Sequence, residues 1–143
     1  MDFRCLIHGP ASGVRNMAVD EALMAGARRG ALTLRFYAWE PACLSLGRNQ
    51  RARDRYDLDR IRSMGLDVVR RPTGGRAVHH DRELTYAVAA PADAWGSLRE
   101  SYARINRALL AGLAGLGVPA GAAGAGGGAP RPSTRACFRD PLP

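Results

Sequence analysis

This 143-residue chain contains no lysine, so all 21 of its cationic side chains are arginines. No step that depends on a lysine amine can be run by these residues. Aromatic residues make up only 6% of the chain and are not interleaved with basic ones. That argues against a stacking surface for single-stranded nucleic acid, so no nucleic-acid partner is expected. No apolar run approaches the ~20 residues of a membrane-spanning helix, and no membrane association is expected. A basic segment followed by an apolar run is missing at the N-terminus, so no secretion signal is expected. Cys5, Cys43 and Cys137 are odd in number and far apart. They suit neither a disulfide framework nor a zinc knuckle, and no metal site is expected. A cytoplasmic location follows as the expectation.

What is present fits one domain's worth of chain. The net charge of +8 could mark a surface for an acidic partner. The arginines are scattered, however, and a general bias toward Arg, Ala and Gly accounts for them. Helix and strand signals alternate along the chain. A helix is expected from Met17 to about Arg29, capped by Asn16 and stopped by Gly30. Leu32, Leu34 and Phe36 alternate with Thr33, Arg35 and Tyr37, as in a strand with one buried face. Cys43–Leu46 reads as a short strand ending at Gly47. Leu58, Ile61 and Met64 share a helical face that Gly65 closes. Val68 and Val69 are apolar and strand-like, and Leu84, Tyr86 and Val88 alternate. After Pro91, the residues Leu98, Tyr102, Ile105, Leu109, Leu113 and Leu116 form one apolar helical stripe, expected to face a core. Residues 120–133 are low in complexity and read as a flexible loop. The expected class is α/β (α+β), a mixed sheet with helices packed on it.

Between the two apolar stretches lies Arg70-Arg71-Pro72-Thr73-Gly74-Gly75-Arg76-Ala77-Val78-His79-His80-Asp81. A glycine pair between strands can be a simple tight turn. Two arginines beside such a turn add nothing to it, whereas around backbone N–H groups they suit a carboxylate or phosphate. The glycine spacing is not that of a Walker loop or a dinucleotide fingerprint. Adjacent histidines on a strand point to opposite faces, so only one of His79 and His80 can face a ligand. Asp81 and Glu83 read as a turn and a solvated face.

The stretch 70–88, RRPTGGRAVHHDRELTYAV, resembles the signature of the lipoate–protein ligase and octanoyltransferase family, relatives of the biotin–protein ligases. Asn16–Leu23 agrees with the family in register, as do Leu34–Trp39 and Leu44–Arg48. The resemblance runs over residues 1–118 and resumes at Cys137-Phe138. It implies a biotin/lipoate-protein-ligase-like catalytic domain, with residues 1–143 as its N-terminal part.

The implied reaction attaches an octanoyl or lipoyl group to a lysine of a lipoyl carrier domain. Such domains belong to 2-oxoacid dehydrogenases or to the glycine cleavage H protein. The resemblance implies an acyl pocket lined by Arg70, Arg71, Gly74, Gly75, Arg76 and His80, while His79 occupies a usually apolar place. The form of the motif, with Cys-Phe after a variable loop, is most similar to the cysteine-dependent octanoyltransferase branch. There Cys137 would carry the acyl group as a thioester taken from acyl carrier protein, with no cofactor. The alternative is a lipoate–protein ligase working through lipoyl-AMP with ATP and Mg. A non-catalytic fragment that binds an acyl group or a lipoyl domain is a third reading. The family ordinarily continues past this cysteine with a Gly-x-Lys strand, so the domain is expected to be incomplete at its C-terminus.

Overall fold

The computed structural model describes residues 3–52 and 55–122. They fall into two units, one running through Pro91 and one beginning at Ala92. The first unit holds β1 (Phe3–Ala11), α1 (Gly13–Ala27), β2 (Leu32–Trp39), β3 (Cys43–Leu46), α2 (Leu58–Ser63), β4 (Asp67–Arg70), β5 (Val78–His80) and β6 (Thr85–Ala89). The second holds α3 (Leu98–Gly115). The expected α/β class is found, with the strands in two three-stranded sheets rather than one.

The first sheet has the order β1-β2-β6, with β1 parallel and β6 antiparallel to β2. The second has the order β4-β3-β5, with β4 parallel and β5 antiparallel to β3. Helix α1 packs on β2, β4 and β6 and so spans both sheets. All four residues of β3 are buried. Cys43 joins Met17, Tyr37, Trp39 and Val69 in one core cluster. Leu44 and Leu46, on the opposite face of the strand, pack with Ile61 of α2 in another.

Helix α1 begins earlier than the sequence suggests. Its cap is Ser12, whose Oγ accepts from the Arg15 N–H, whereas Asn16 lies one turn inside. The Asn16 side chain is instead buried and donates to the carbonyls of Ala11 and Ala38 at 3.1 and 3.0 Å, tying the helix to two strand ends. The helix also closes at Ala27 with Arg28 as its cap, and Gly30 serves the following turn at φ 93°.

Strand β2 has the expected period of two, but its fully covered face is the polar one. Thr33, Arg35, Tyr37 and Trp39 are buried, while Leu34, Phe36 and Ala38 are only half-buried. Arg35 is tolerated there because each arm has a partner. It pairs with Asp20 at 2.7 Å, donates to the Asn16 backbone and side-chain oxygens, and donates from Nε to His8 Nδ1. The Tyr37 hydroxyl donates to the second Asp20 oxygen. Burial, then the Asp20 charge, push the Tyr37 hydroxyl well above its ordinary pKa.

Helix α3 starts with a capping box. Ser97 Oγ accepts from the Glu100 N–H, and the Ser97 N–H donates to Glu100 Oε2. The apolar stripe has the expected spacing, yet no residue of α3 is buried, contrary to the expectation that it faces a core. Among its unit's described residues there is no second apolar element for the stripe to pack on. No described helix is long and apolar enough to cross a membrane.

Candidate functional site

The Gly-rich segment is not a hairpin turn. Strands β4 and β5 both pair with β3 and not with each other, so residues 71–77 arch over the end of β3. Gly47 sits at that end, directly beneath the arch. A Cβ on Gly47 would lie 2.0 Å from the Gly75 carbonyl oxygen. The arch can therefore rest on the strand end only because residue 47 has no side chain. Gly75 adopts φ 98°, and a Cβ there would meet Arg71 Nη2 at 2.8 Å. Among the described residues, nothing lies within 4 Å of a Cβ built at Gly74.

The two arginines that precede the loop turn back onto the protein. Arg71 spends both terminal nitrogens on backbone and hydroxyl oxygens. Its Nη1 donates to the Ser45 carbonyl and Oγ at 3.0 and 3.2 Å. Its Nη2 donates to the carbonyls of Gly74 and Arg76 at 2.8 and 2.6 Å. The middle and the far side of the arch thus hang on one guanidinium, whose pKa burial pushes below the usual value. Arg70 does the same for the neighbouring turn, donating to the carbonyls of Gly47 and Gln50 at 2.7 and 2.8 Å. Arg76 is exposed on the arch itself.

His80 and His79 do point to opposite faces. His80 is buried and His79 exposed. His80 pairs across the sheet with Cys43, which puts Ser45 at the diagonal position on the same face. Its Nε2 lies 2.8 Å from Ser45 Oγ, and its Nδ1 lies 2.6 Å from Glu83 Oε1. The ring stacks on Trp39 from the other sheet, with centroids 4.1 Å apart and planes 13° from parallel. Thr85 Oγ1 accepts from the Trp39 indole N–H and donates to the same Glu83 oxygen, each at 2.7 Å. Burial pushes the Glu83 carboxyl up, but the hydrogen bonds from His80 and Thr85 outweigh it and hold the group below its usual range.

Of the residues expected in the site, Arg70, Arg71, Gly74, Gly75 and Arg76 lie on or beside the arch, His80 is linked to it through Ser45 and Arg71, and Cys137 lies outside the described residues. Ser45, Glu83, Thr85 and Trp39 are neighbours that the sequence reading left out. Only Glu83, three residues from His80, carried a local signal. Cys43 is buried, and its thiol is pushed up to about 12 by burial and by the Asp67 carboxylate. Cys5 is exposed.

The lipoyl protein ligase A/B catalytic domain model matches residues 12–132. The chain belongs to this family. Octanoyltransferase LipM of Moorella thermoacetica is 46% identical over 97% of this chain and 53% of its own length. The bi-partite lipoate protein ligase of Thermoplasma acidophilum superposes with a TM-score of 0.71 at 30% identity, covering 86% of this chain and 49% of that one. A lipoate-protein ligase A structure with bound ATP gives 0.70 at 30% identity, over 82% and 48%. This chain therefore spans about half the length of the family members it matches. Within the family domain, the arch and the His80 cluster lie in the matched region.

Proposed function

We propose that this chain forms the acyl-binding part of an octanoyltransferase. It would transfer an octanoyl group from acyl carrier protein to a lysine of a lipoyl carrier domain, such as that of a 2-oxoacid dehydrogenase or the glycine cleavage H protein. The observation that carries this reading is the 46% identity to an octanoyltransferase along nearly the whole chain. In this reading the arch of Gly74, Gly75 and Arg76 borders the acyl group. Arg71 holds the arch in shape, Arg70 braces the neighbouring turn, and His80 forms the adjoining wall. A carbonyl oxygen bearing developing charge would be received by backbone N–H groups, which are fixed in advance by the arginine clamps.

Cys137 is the proposed nucleophile. Its thiolate would attack the donor thioester carbon, releasing the carrier thiol and leaving an octanoyl thioester on Cys137. The acceptor amine would then displace it as an amide. A free thiol near pKa ~8.5 is only a few per cent thiolate at neutral pH, so a neighbouring cationic or basic group must favour the thiolate. The transferase reading needs no cofactor, and a cytoplasmic setting goes with it.

The experiment is to incubate the protein with octanoyl-acyl carrier protein and follow its mass. The expected result is one added octanoyl group that hydroxylamine removes and that Cys137→Ser does not acquire. Loading that survives Cys137→Ser would refute the cysteine route. Lipoate-dependent exchange of pyrophosphate into ATP would favour the alternative ligase reading.

A further inference from the structure

The hydrogen bonds around His80 run in a single direction, and they end on one atom. Arg71 has no acceptor, so its N–H must donate to Ser45 Oγ. Glu83 Oε1 as a carboxylate oxygen can only accept, so His80 Nδ1 must carry a proton. In the neutral ring Nε2 is then the acceptor, and Ser45 Oγ–H donates to it. A second path runs from the Trp39 indole through Thr85 to the same Glu83 oxygen. Both paths terminate on Glu83, and the described residues include no buried side-chain polar atom without a partner.

Ser45, His80 and Glu83 have the order of a hydroxyl, base and carboxylate triad. Burial argues against Ser45 as an acyl acceptor, because the serine is 1% exposed and Arg71 already covers its oxygen. What the array can do is fix positions. Glu83 selects one tautomer and one orientation of the His80 ring, and that ring is further held flat against Trp39. Through Ser45, the same chain reaches the guanidinium that carries the arch at Gly74 and Arg76. Arg82, at φ 45°, makes the left-handed turn that precedes Glu83. Few non-glycine residues adopt that conformation without compensation, and here it lies between His80 and the residue that anchors it.

We propose that Glu83 is a positioning residue, fixing the His80 ring and, through Ser45 and Arg71, the shape of the Gly-rich arch. The catalytic consequence rests on the arch being the acyl site, whereas the structural claim does not, so the test reads the two separately.

Nitrogen-15 spectra of the histidine rings in the full chain report the tautomer, and the amide signals of Gly74 and Gly75 report the arch. In the parent protein His80 is expected as the Nδ1–H form. Glu83→Ala should move it toward the Nε2–H form and shift or broaden both glycine amides. Glu83→Gln, whose amide oxygen can still accept from Nδ1–H, should restore the tautomer. Ser45→Ala cuts the chain beyond His80, so it should keep the Nδ1–H form while still moving the glycine amides, and it serves if Glu83→Ala does not fold. Unchanged tautomer and glycine signals in Glu83→Ala would overturn the proposal, as would unchanged glycine signals in Ser45→Ala.

Octanoyl transfer is measured alongside. A displaced arch should lower kcat/KM for Glu83→Ala by roughly tenfold or more, with Glu83→Gln recovering part of the loss. Spectral changes in a protein that transfers no octanoyl group would uphold the positioning role and count against the acyl reading. Transfer with no spectral change in Glu83→Ala would do the reverse.

Discussion

Gly47→Ala is the sharpest perturbation of the arch. The new Cβ would lie 2.0 Å from the Gly75 oxygen, 2.9 Å from the Gly75 carbonyl carbon and 3.3 Å from that of Gly74. All three are backbone atoms, so no side chain can swing aside. Ordinary contact begins near 3.4 Å, so the arch must lift by more than an ångström or the end of β3 must shift. Overpacking of this kind typically costs about 1–3 kcal/mol. For a chain of this size that corresponds to a fall in Tm of roughly 3–9 °C. The loss in transfer should be larger than the loss in stability, because misplacing a reacting group by about 1 Å can cost on the order of 100-fold. Gly9→Ala on β1 is the control, since among the described residues a Cβ there meets nothing within 4 Å and the position lies outside the arch. Thermal unfolding and transfer to a lipoyl domain should be measured on both variants. If Gly47→Ala matches Gly9→Ala in both, the arch does not rest on Gly47 and the reasoning fails.

Arg35→Ala removes one partner of a buried ion pair and strands Asp20, so it should cost about 3–5 kcal/mol in urea unfolding. Arg62→Ala breaks only the exposed pair with Asp59 and should change stability by less than about 0.5 kcal/mol. Equal losses in the two variants would contradict the burial argument. Cys43, with its thiol raised to about 12, should stay unlabelled by an alkylating reagent in the native protein at neutral pH. Cys5 should label readily, and peptide mapping separates the two. Glu83 has a lowered folded-state pKa, so its contribution is present above the unfolded carboxylate value and is lost as pH falls through the folded one. Glu83→Gln should therefore flatten the acid side of the stability profile, modestly because the carboxylate is 36% exposed. A parallel profile would argue against the His80–Glu83 bond.

Local signals in the sequence located most elements but not their partners. Strand β3 was legible because a short apolar run ends at a glycine, and α2 because Ile61 recurs at helical spacing with its neighbours. Strand β1 was missed: Phe3 and Ile7 are 61% and 81% exposed, and no polar alternation marks the strand. Asn16 looked like a helix cap because asparagine favours that place, but the tertiary demand of two strand carbonyls and Arg35 uses its side chain instead. Likewise the Gly74-Gly75 pair and its arginines marked a site, while their roles depended on register. Only the pairing of β5 with β3 brings Ser45, 35 residues away in sequence, onto His80. Only the approach of β2, in the first sheet, to β5, in the second, brings Trp39 over the ring. Glu83 sits near enough in sequence to be suspected, yet a carboxylate in a charged run reads as a solvated face, and the left-handed turn at Arg82 that precedes it on the way back to His80 has no mark in the sequence.

The most direct test of the account is mass spectrometry of a lipoyl domain after incubation with this protein and octanoyl-acyl carrier protein, with no ATP added. The account predicts an octanoyl group in amide linkage on the domain's acceptor lysine. An unmodified domain under these conditions, but modification once free octanoate or lipoate and ATP are supplied, would contradict the transferase reading.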